Sequence, residues 1–163
     1  MAQQQTLETL FVETLKDIFY AEKQILKALP KMARSAESPE LKQAFQQHRD
    51  ETEGHVERLQ QIFEMLEKPA RGKTCDAILG IIEEGKEVME EFEGSDALDA
   101  GLTAAAQAVE HYEIARYGTL KTWAMQLGMK DAAALLDQTL QEEKKTDELL
   151  SGLAGQTVNK KAA

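Results

Sequence analysis

The chain has 163 residues, which is enough for one domain (1–163) with an apolar core. Its formal charge of −10 excludes a basic surface for nucleic-acid phosphates and disfavours binding to an anionic membrane. No apolar run approaches the roughly 20 residues of a membrane span. The first five residues do not resemble a signal peptide, and the single Cys75 cannot form an internal disulfide. We therefore expect a cytoplasmic protein.

The first half of the chain predicts two long helices. Apolar residues at three- and four-residue spacing follow Thr6, a plausible N-cap, as far as Ala36. Pro30 lies inside this stretch and should bend or break the helix. A second helix begins at Ser38 and Pro39, an N-cap followed by a first-turn proline, and continues to about residue 67. The short link predicts an antiparallel hairpin.

The second half predicts a loop over 68–74, a short helix over 75–92 and another hairpin. Its first helix is capped by Ser95 and runs over 96–127, Gly128 ends it, and its second helix covers 130–153. We expect the polar tail over 156–163 to be frayed. Two hairpins joined by a long crossover, about 68–95, indicate an all-α, ferritin-like four-helix bundle.

Acidic residues interrupt the inward face of each long helix. Glu22 lies between the apolar residues of the first helix, and Glu51 lies beside Thr52 on the second, with His55 one turn further on. On the third long helix Glu110 and Glu113 continue the apolar stripe, as Glu143 and Asp147 do on the fourth. Buried acids in this number predict a site rather than an ordinary core.

The acids also lie at matching depths. Each of Glu22, Glu51, Glu113 and Glu143 is about 14 or 15 residues from the turn of its hairpin, or about 22 Å along the helix. The four should therefore form one layer, provided that both turns lie at the same end of the bundle. His55, Glu110 and Asp147 fall in the next layer.

Four carboxylates in one core layer repel each other, and each uncompensated charge would cost several kcal/mol. In helical bundles the known solution is a pair of metal ions bridged by carboxylates. Oxygen ligands with imidazole suit iron or manganese, so we expect two ions per chain. The predicted metal ligands are Glu22, Glu51, His55, Glu110, Glu113, Glu143 and Asp147.

The pattern departs from the usual Glu-x-x-His pairs of such sites. Gly54 follows Glu51 at the third position, and Thr146 follows Glu143. His55 and Asp147, each at the fourth position, would serve instead. His48, one turn from Glu51, is favoured as a hydrogen-bonded core histidine, whereas Tyr20 and Tyr112 are either donors to ligand carboxylates or ordinary half-buried aromatics.

Several segments together resemble the YciE/YciF-type family of bacterial stress proteins. They are Tyr20–Gln24, Glu51–Thr52, Val109–Glu113, Tyr117–Leu120 and Glu142–Lys144. The resemblance extends over nearly the whole chain, and its most specific part is Val109–Leu120. It implies a ferritin-like bundle, metal binding, a role in stress responses and a homodimer, but no defined reaction.

The leading functional hypothesis is a dinuclear protein that binds Fe(II) and reacts with oxygen or peroxide, with the residues fixing the geometry of the ions. The sequence leaves open whether the protein is an enzyme. A second hypothesis is an interaction or scaffold protein whose acidic layer binds no functional metal. A third is iron storage, which requires a closed shell of many subunits.

Overall fold

The computed structural model describes residues 4–163, which are largely helical. The main elements are α1 (Leu7–Ser35), α2 (Pro39–Met65), α3 (Asp76–Glu91), α4 (Leu98–Gln126) and α5 (Lys130–Leu153). A π-helical turn (Ala154–Val158) and a short helix, α6 (Asn159–Ala162), complete the chain. In the described part of the chain, no helix is both long and apolar enough to cross a membrane.

Side-chain caps fix the starts of α1 and α2. The Thr6 hydroxyl accepts a hydrogen bond from the backbone N–H of Thr9 at 3.1 Å. The Ser38 hydroxyl accepts one from the N–H of Leu41 at 3.3 Å, and Pro39 is the first helical residue. Both predicted caps are thus confirmed. Pro30 does not break α1, which continues to Ser35.

Two local predictions differ from the structure. Ser95 does not cap α4, because it lies in a turn and the helix begins only at Leu98, with no side-chain cap. The tail, expected to fray, continues as helix beyond Leu153. Val158 is buried there, and the Lys161 ammonium lies 2.8 Å from the Glu37 carboxylate, so packing and charge hold the tail against the bundle.

The four long helices form the predicted all-α, ferritin-like four-helix bundle. α1 packs against α2 and α4, and α5 packs against α4 and α2. α3 lies in the crossover between α2 and α4 and covers the outer surface of α1 and α4. Large buried side chains fill the bundle, including Phe11, Leu15, Phe45, Leu59 and Phe63.

The two hairpin turns lie at opposite ends of the bundle. The Asp99 carboxylate accepts hydrogen bonds from the backbone N–H groups of Glu37 and Ser38 at 2.8 and 2.7 Å, so the α1–α2 turn lies beside the start of α4. Because α4 then runs the length of the bundle to Gly128, the α4–α5 turn lies at the far end. The condition set for a single layer, that both turns share one end, is therefore not met. Central acids remain level because the middle of a helix is equally deep from either end.

Candidate metal centre

The middle of the bundle contains a group of buried titratable side chains in place of an apolar layer. Four glutamates contributed by α1, α4 and α5 are at most 1% exposed, and two histidines of α2 are at most 4% exposed. They are Glu22, Glu110, Glu113, Glu143, His48 and His55. Fully buried acids are rare unless a partner compensates their charge.

These side chains form two overlapping sets of candidate ligands. One set, the His55 side, consists of Glu22, His55, Glu113 and Glu143, whose ligand atoms all lie within 4.8 Å of one another. The other set, the His48 side, consists of His48 and Glu110 together with the same Glu113 and Glu143, again with all ligand atoms within 4.8 Å of one another. Two shared carboxylates between two separate pairs are the arrangement that bridges two metal ions.

A network of outer residues holds the ligands of the His55 side. His55 Nδ1 faces the centre, 2.9 Å from Glu143 Oε1 and 3.4 Å from Glu22 Oε1. Its Nε2 lies 2.9 Å from Glu142 Oε2, the geometry of a ring N–H donating to a carboxylate. Arg58 in turn donates to both oxygens of Glu142, at 2.7 and 2.9 Å. A carboxylate behind the imidazole fixes the ring and leaves Nδ1 as the ligand atom.

Tyr117 provides a second support on this side. Its buried hydroxyl donates to Glu22 Oε1 from α4, and its ring lies against the His55 ring, with centroids 6.3 Å apart. The other oxygen of Glu22 makes no hydrogen bond with residues 4–163. Glu22 is therefore oriented by one oxygen and keeps the other for a ligand.

The His48 side has no comparable support. His48 Nε2 lies 2.7 Å from Glu110 Oε1, but the two atoms do not meet the geometry of a hydrogen bond. Neither ring nitrogen of His48 and neither oxygen of Glu110 has a hydrogen-bond partner in the described part of the chain. The two side chains of this side are therefore close together but not joined by a hydrogen bond.

Whether a metal fits this site can be judged from the buried polar atoms that lack hydrogen-bond partners. Both oxygens of Glu110, Glu113 and Glu143 are buried and lack hydrogen bonds with residues 4–163. Each such atom costs about 1–3 kcal/mol, and more when charged. Two divalent ions would satisfy these oxygens and neutralise the carboxylates. The donor set, carboxylate oxygens with two imidazoles and no thiolate, fits iron or manganese.

Burial and mutual repulsion shift the pKa values of the central acids upward. Burial, reinforced by the neighbouring carboxylates, raises the pKa of Glu113 and of Glu143 well above the ordinary range. Burial also raises the pKa of Glu110 to about 7. Without a metal, protons therefore reduce the negative charge of the centre, and a metal ion would displace them on binding.

His55 acts on the carboxylates beside it. Burial opposes its charged form, but the Glu22 carboxylate and the hydrogen bond to Glu142 raise the pKa of His55 to about 12. Burial likewise acts against ionisation of Glu22, yet the His55 charge holds the pKa of that carboxyl below its ordinary value. Glu142 is partly buried, but its bonds to His55 and Arg58 lower its pKa to about 2.

The structure brings most of the predicted ligands together but leaves two outside. Glu51 is at the right depth but on the flank of α2, where it accepts from Gln47 at 3.0 Å and from Thr146 at 3.2 Å. Asp147 lies at the edge of the bundle, 3.2 Å from His111. Neither belongs to the two ligand sets. Ligation by Glu51 or Asp147 remains a prediction that would require their side chains to move.

His48 was expected to be a hydrogen-bonded core histidine, and the structure places it among the candidate ligands. The signal was its spacing: His48 and His55 are seven residues apart, two turns on one face, with buried Thr52 between them. Tyr112, considered as a donor to the ligands, instead donates to Asp17 at 2.7 Å. Tyr117, one helical turn after Glu113, is the tyrosine that donates to a candidate ligand, Glu22.

The comparisons with known proteins agree with the fold. The model of a family described as "Domain of unknown function (DUF892)" matches residues 6–163. Protein YciF of Escherichia coli K12 is 49% identical over 158 residues, 96% of this chain and 95% of that protein. The solved structure of the E. coli stress protein YciF is similar, with a TM-score of 0.91 at 48% identity, over 96% of this chain and 99% of that one.

A second solved structure is YcfI from Rhodopseudomonas palustris, provisionally described as a structural protein. Its TM-score is 0.88 at 47% identity, and the match covers 90% of this chain and 94% of that one. Both structures match nearly the whole bundle.

Proposed function

The chain belongs to the DUF892 family, together with the stress protein YciF, and from that premise we propose that it is a dinuclear metal protein. The two ions are iron or manganese. The single observation that carries this proposal is the pair of four-ligand sets that share Glu113 and Glu143 at the buried middle of the bundle.

Each ion would have its own pair of ligands in addition to the shared carboxylates. Glu22 and His55 would bind one ion, and His48 and Glu110 the other. The remaining residues hold these ligands in place: Tyr117 orients Glu22, and Glu142 orients His55. The bundle around them excludes water, which strengthens every charge interaction at the site.

The bound iron would supply the redox chemistry, in which Fe(II) is oxidised to Fe(III) while oxygen or peroxide is reduced. The protein would bind the ions, release the protons of the carboxylates as the ions bind, and keep the centre dry. Removal of iron or peroxide under stress is the matching role, and we assign it to the cytoplasm, where a lone buried thiol such as Cys75 stays reduced. We also keep the homodimer as part of this proposal.

Anaerobic titration with Fe(II), followed by admission of air, tests the redox function. Wild-type protein should show an absorbance change on exposure to air that saturates at about two ions per chain. The double substitution Glu22→Ala, Glu113→Ala should abolish the change. A matched control, Glu57→Ala with Glu148→Ala, removes two exposed acids from the same bundle and should leave it intact. An unchanged signal in the first variant would refute the proposal.

The second candidate is an interaction or scaffold protein whose centre holds protons in place of metal. The description of the R. palustris relative and the raised pKa values of Glu113 and Glu143 favour this alternative. It predicts a melting temperature that does not respond to Fe(II) or Mn(II). A rise of several degrees on addition of either ion would exclude it.

A further inference from the structure

A cleft on the outer side of the bundle has a composition unlike the rest of the protein. It lies between α1, α3 and α4 and has a volume of about 290 Å³. Its walls are mainly apolar, with Met32, Ile81, Ile82, Met89 and Val109 among the lining residues. None of the lining residues is a candidate ligand of the metal centre. The cleft is therefore a separate feature, close to the usual lower limit of small-molecule pockets, about 300 Å³.

The charge at this cleft is opposite to that of the chain as a whole. The protein has 29 acidic and 19 basic residues, yet the lining includes Lys27, Lys31 and Lys86 and no aspartate or glutamate. Lys86 lies 3.5 Å from Glu83. Other lysine ion pairs within residues 4–163 involve Lys16, Lys73, Lys121 and Lys161, so neither Lys27 nor Lys31 has an acidic partner in that part of the chain.

We propose that this cleft binds a single-chain anionic amphiphile, of which a long-chain carboxylate is the simplest example. The apolar walls would take the hydrocarbon chain, and the unbranched side chains of Met32 and Met89 can adapt to its shape. The ammonium groups of Lys27 and Lys31, one helical turn apart on α1, would contact the carboxylate.

A second copy of the chain fits this face less well. A two-fold interface presents the same patch from both subunits, and an axis through the cleft would bring the three lysines against their own counterparts. Like charges at an interface oppose association. A small anion with an apolar chain, by contrast, would contact both the apolar walls and the lysines of the cleft.

Calorimetric titration with sodium dodecanoate below its micellar concentration tests the proposal. Wild-type protein should bind one dodecanoate per chain. Lys27→Gln with Lys31→Gln, both exposed and therefore tolerated by the fold, should weaken binding about five-fold. Ala28→Phe, which places a ring in the cleft, should abolish it. The matched control, Lys68→Gln with Lys130→Gln, removes two exposed lysines outside the cleft and should bind as the wild type does.

A ligand of opposite charge separates the two parts of the claim. Dodecyltrimethylammonium has the same chain length and should bind more weakly than dodecanoate, and equal binding would overturn the assignment of an anion. Absence of dodecanoate binding to the wild type would overturn the site. So would light scattering in which Ala28→Phe lowers the mass of an assembly, because a second copy would then cover the cleft.

Discussion

The two sides of the candidate metal centre share Glu113 and Glu143 but differ in how their other candidate ligands are held. On the His55 side, Glu142 fixes the histidine and Tyr117 fixes Glu22. On the His48 side, neither His48 nor Glu110 has a hydrogen-bond partner among the described residues. The His55 side is therefore preorganised for a metal ion, whereas the positions of the His48 and Glu110 side chains depend on what binds there.

Two ion positions with similar ligands need not be equivalent. A ligand held by outer hydrogen bonds loses little freedom when it binds a metal, so its affinity is higher. The first ion should therefore bind on the His55 side, and the second on the His48 side with lower affinity.

The largest effect should come from removing each histidine in turn. His55→Ala removes the supported ligand and should weaken the first ion more than 100-fold, because the ion then loses its imidazole ligand on this side. His48→Ala should leave the first ion bound and weaken only the second. Titration of metal-free protein with Mn(II), monitored by the electron paramagnetic resonance of free Mn(II), measures both steps.

The two variants are each other's control, since both remove one buried imidazole from α2. Circular dichroism should show that both remain helical. Equal loss of both ions in the two variants would contradict the asymmetry.

A smaller effect should follow from loss of the outer carboxylate. Glu142→Leu removes the group that orients His55 while leaving all the ligands in place, and it should weaken the first ion about 10- to 100-fold. Glu142→Gln keeps an acceptor for the ring N–H and should recover most of the affinity. If Glu142→Leu binds both ions as the wild type does, the His55 side is not held in the way described.

Binding of the second ion should depend on pH through Glu110. Because the pKa of Glu110 is raised from 4.5 to about 7, this carboxyl keeps its proton below about pH 7 and must release it to bind a metal. The affinity for the second ion should therefore fall by about ten-fold per pH unit below 7 for each proton released. Repeating the Mn(II) titration between pH 6 and 8 measures this slope.

The same raised pKa makes the opposite prediction for the metal-free protein. The folded chain holds a proton on Glu110 that the unfolded chain has lost, so this contribution to the free energy of unfolding is present below about pH 4.5 and lost as the pH rises through 7. Urea unfolding at pH 5.5 and pH 8 should show lower stability at pH 8. Glu110→Gln, which imitates the protonated acid, should reduce the difference, and an unchanged difference would exclude Glu110 as its source.

The smallest effect should come from Tyr117→Phe. The substitution removes one hydrogen bond to Glu22 but keeps the ring against His55. It should weaken the first ion only a few-fold, since every candidate ligand and the Glu142 support of His55 stay in place. Tyr112→Phe, a matched change on the same helix away from the ligands, should have no effect on metal binding.

The sequence predicts the fold well because the fold depends on local signals. The caps at Thr6 and Ser38 and the glycine at 128, which has a φ of +74°, determine where the long helices begin and end. Ser95 does not cap α4 because it lies within the turn that precedes Leu98, where the helix begins. A serine near a helix start does not by itself show which residue begins the helix.

The candidate site is harder to predict because it depends on the rotation of each helix as well as on depth. Glu51 is level with the centre, but its position on α2 is about 100° from the inward face that Thr52 occupies. His48 and His55 lie on the same inward face, one helical turn before and one helical turn after Thr52. Opposite ends for the two turns could not be read from spacing, since they follow from the path of the crossover through α3 and the contact of Asp99 with the α1–α2 turn.

The most direct test of a dinuclear centre is the number of ions that the protein binds. Native mass spectrometry of metal-free protein titrated with Mn(II) should show two ions per chain, added in two separate steps. Glu113→Ala with Glu143→Ala, which removes both shared carboxylates, should bind neither ion. A wild-type protein that binds no ion, or a double variant that still binds two, would contradict the account.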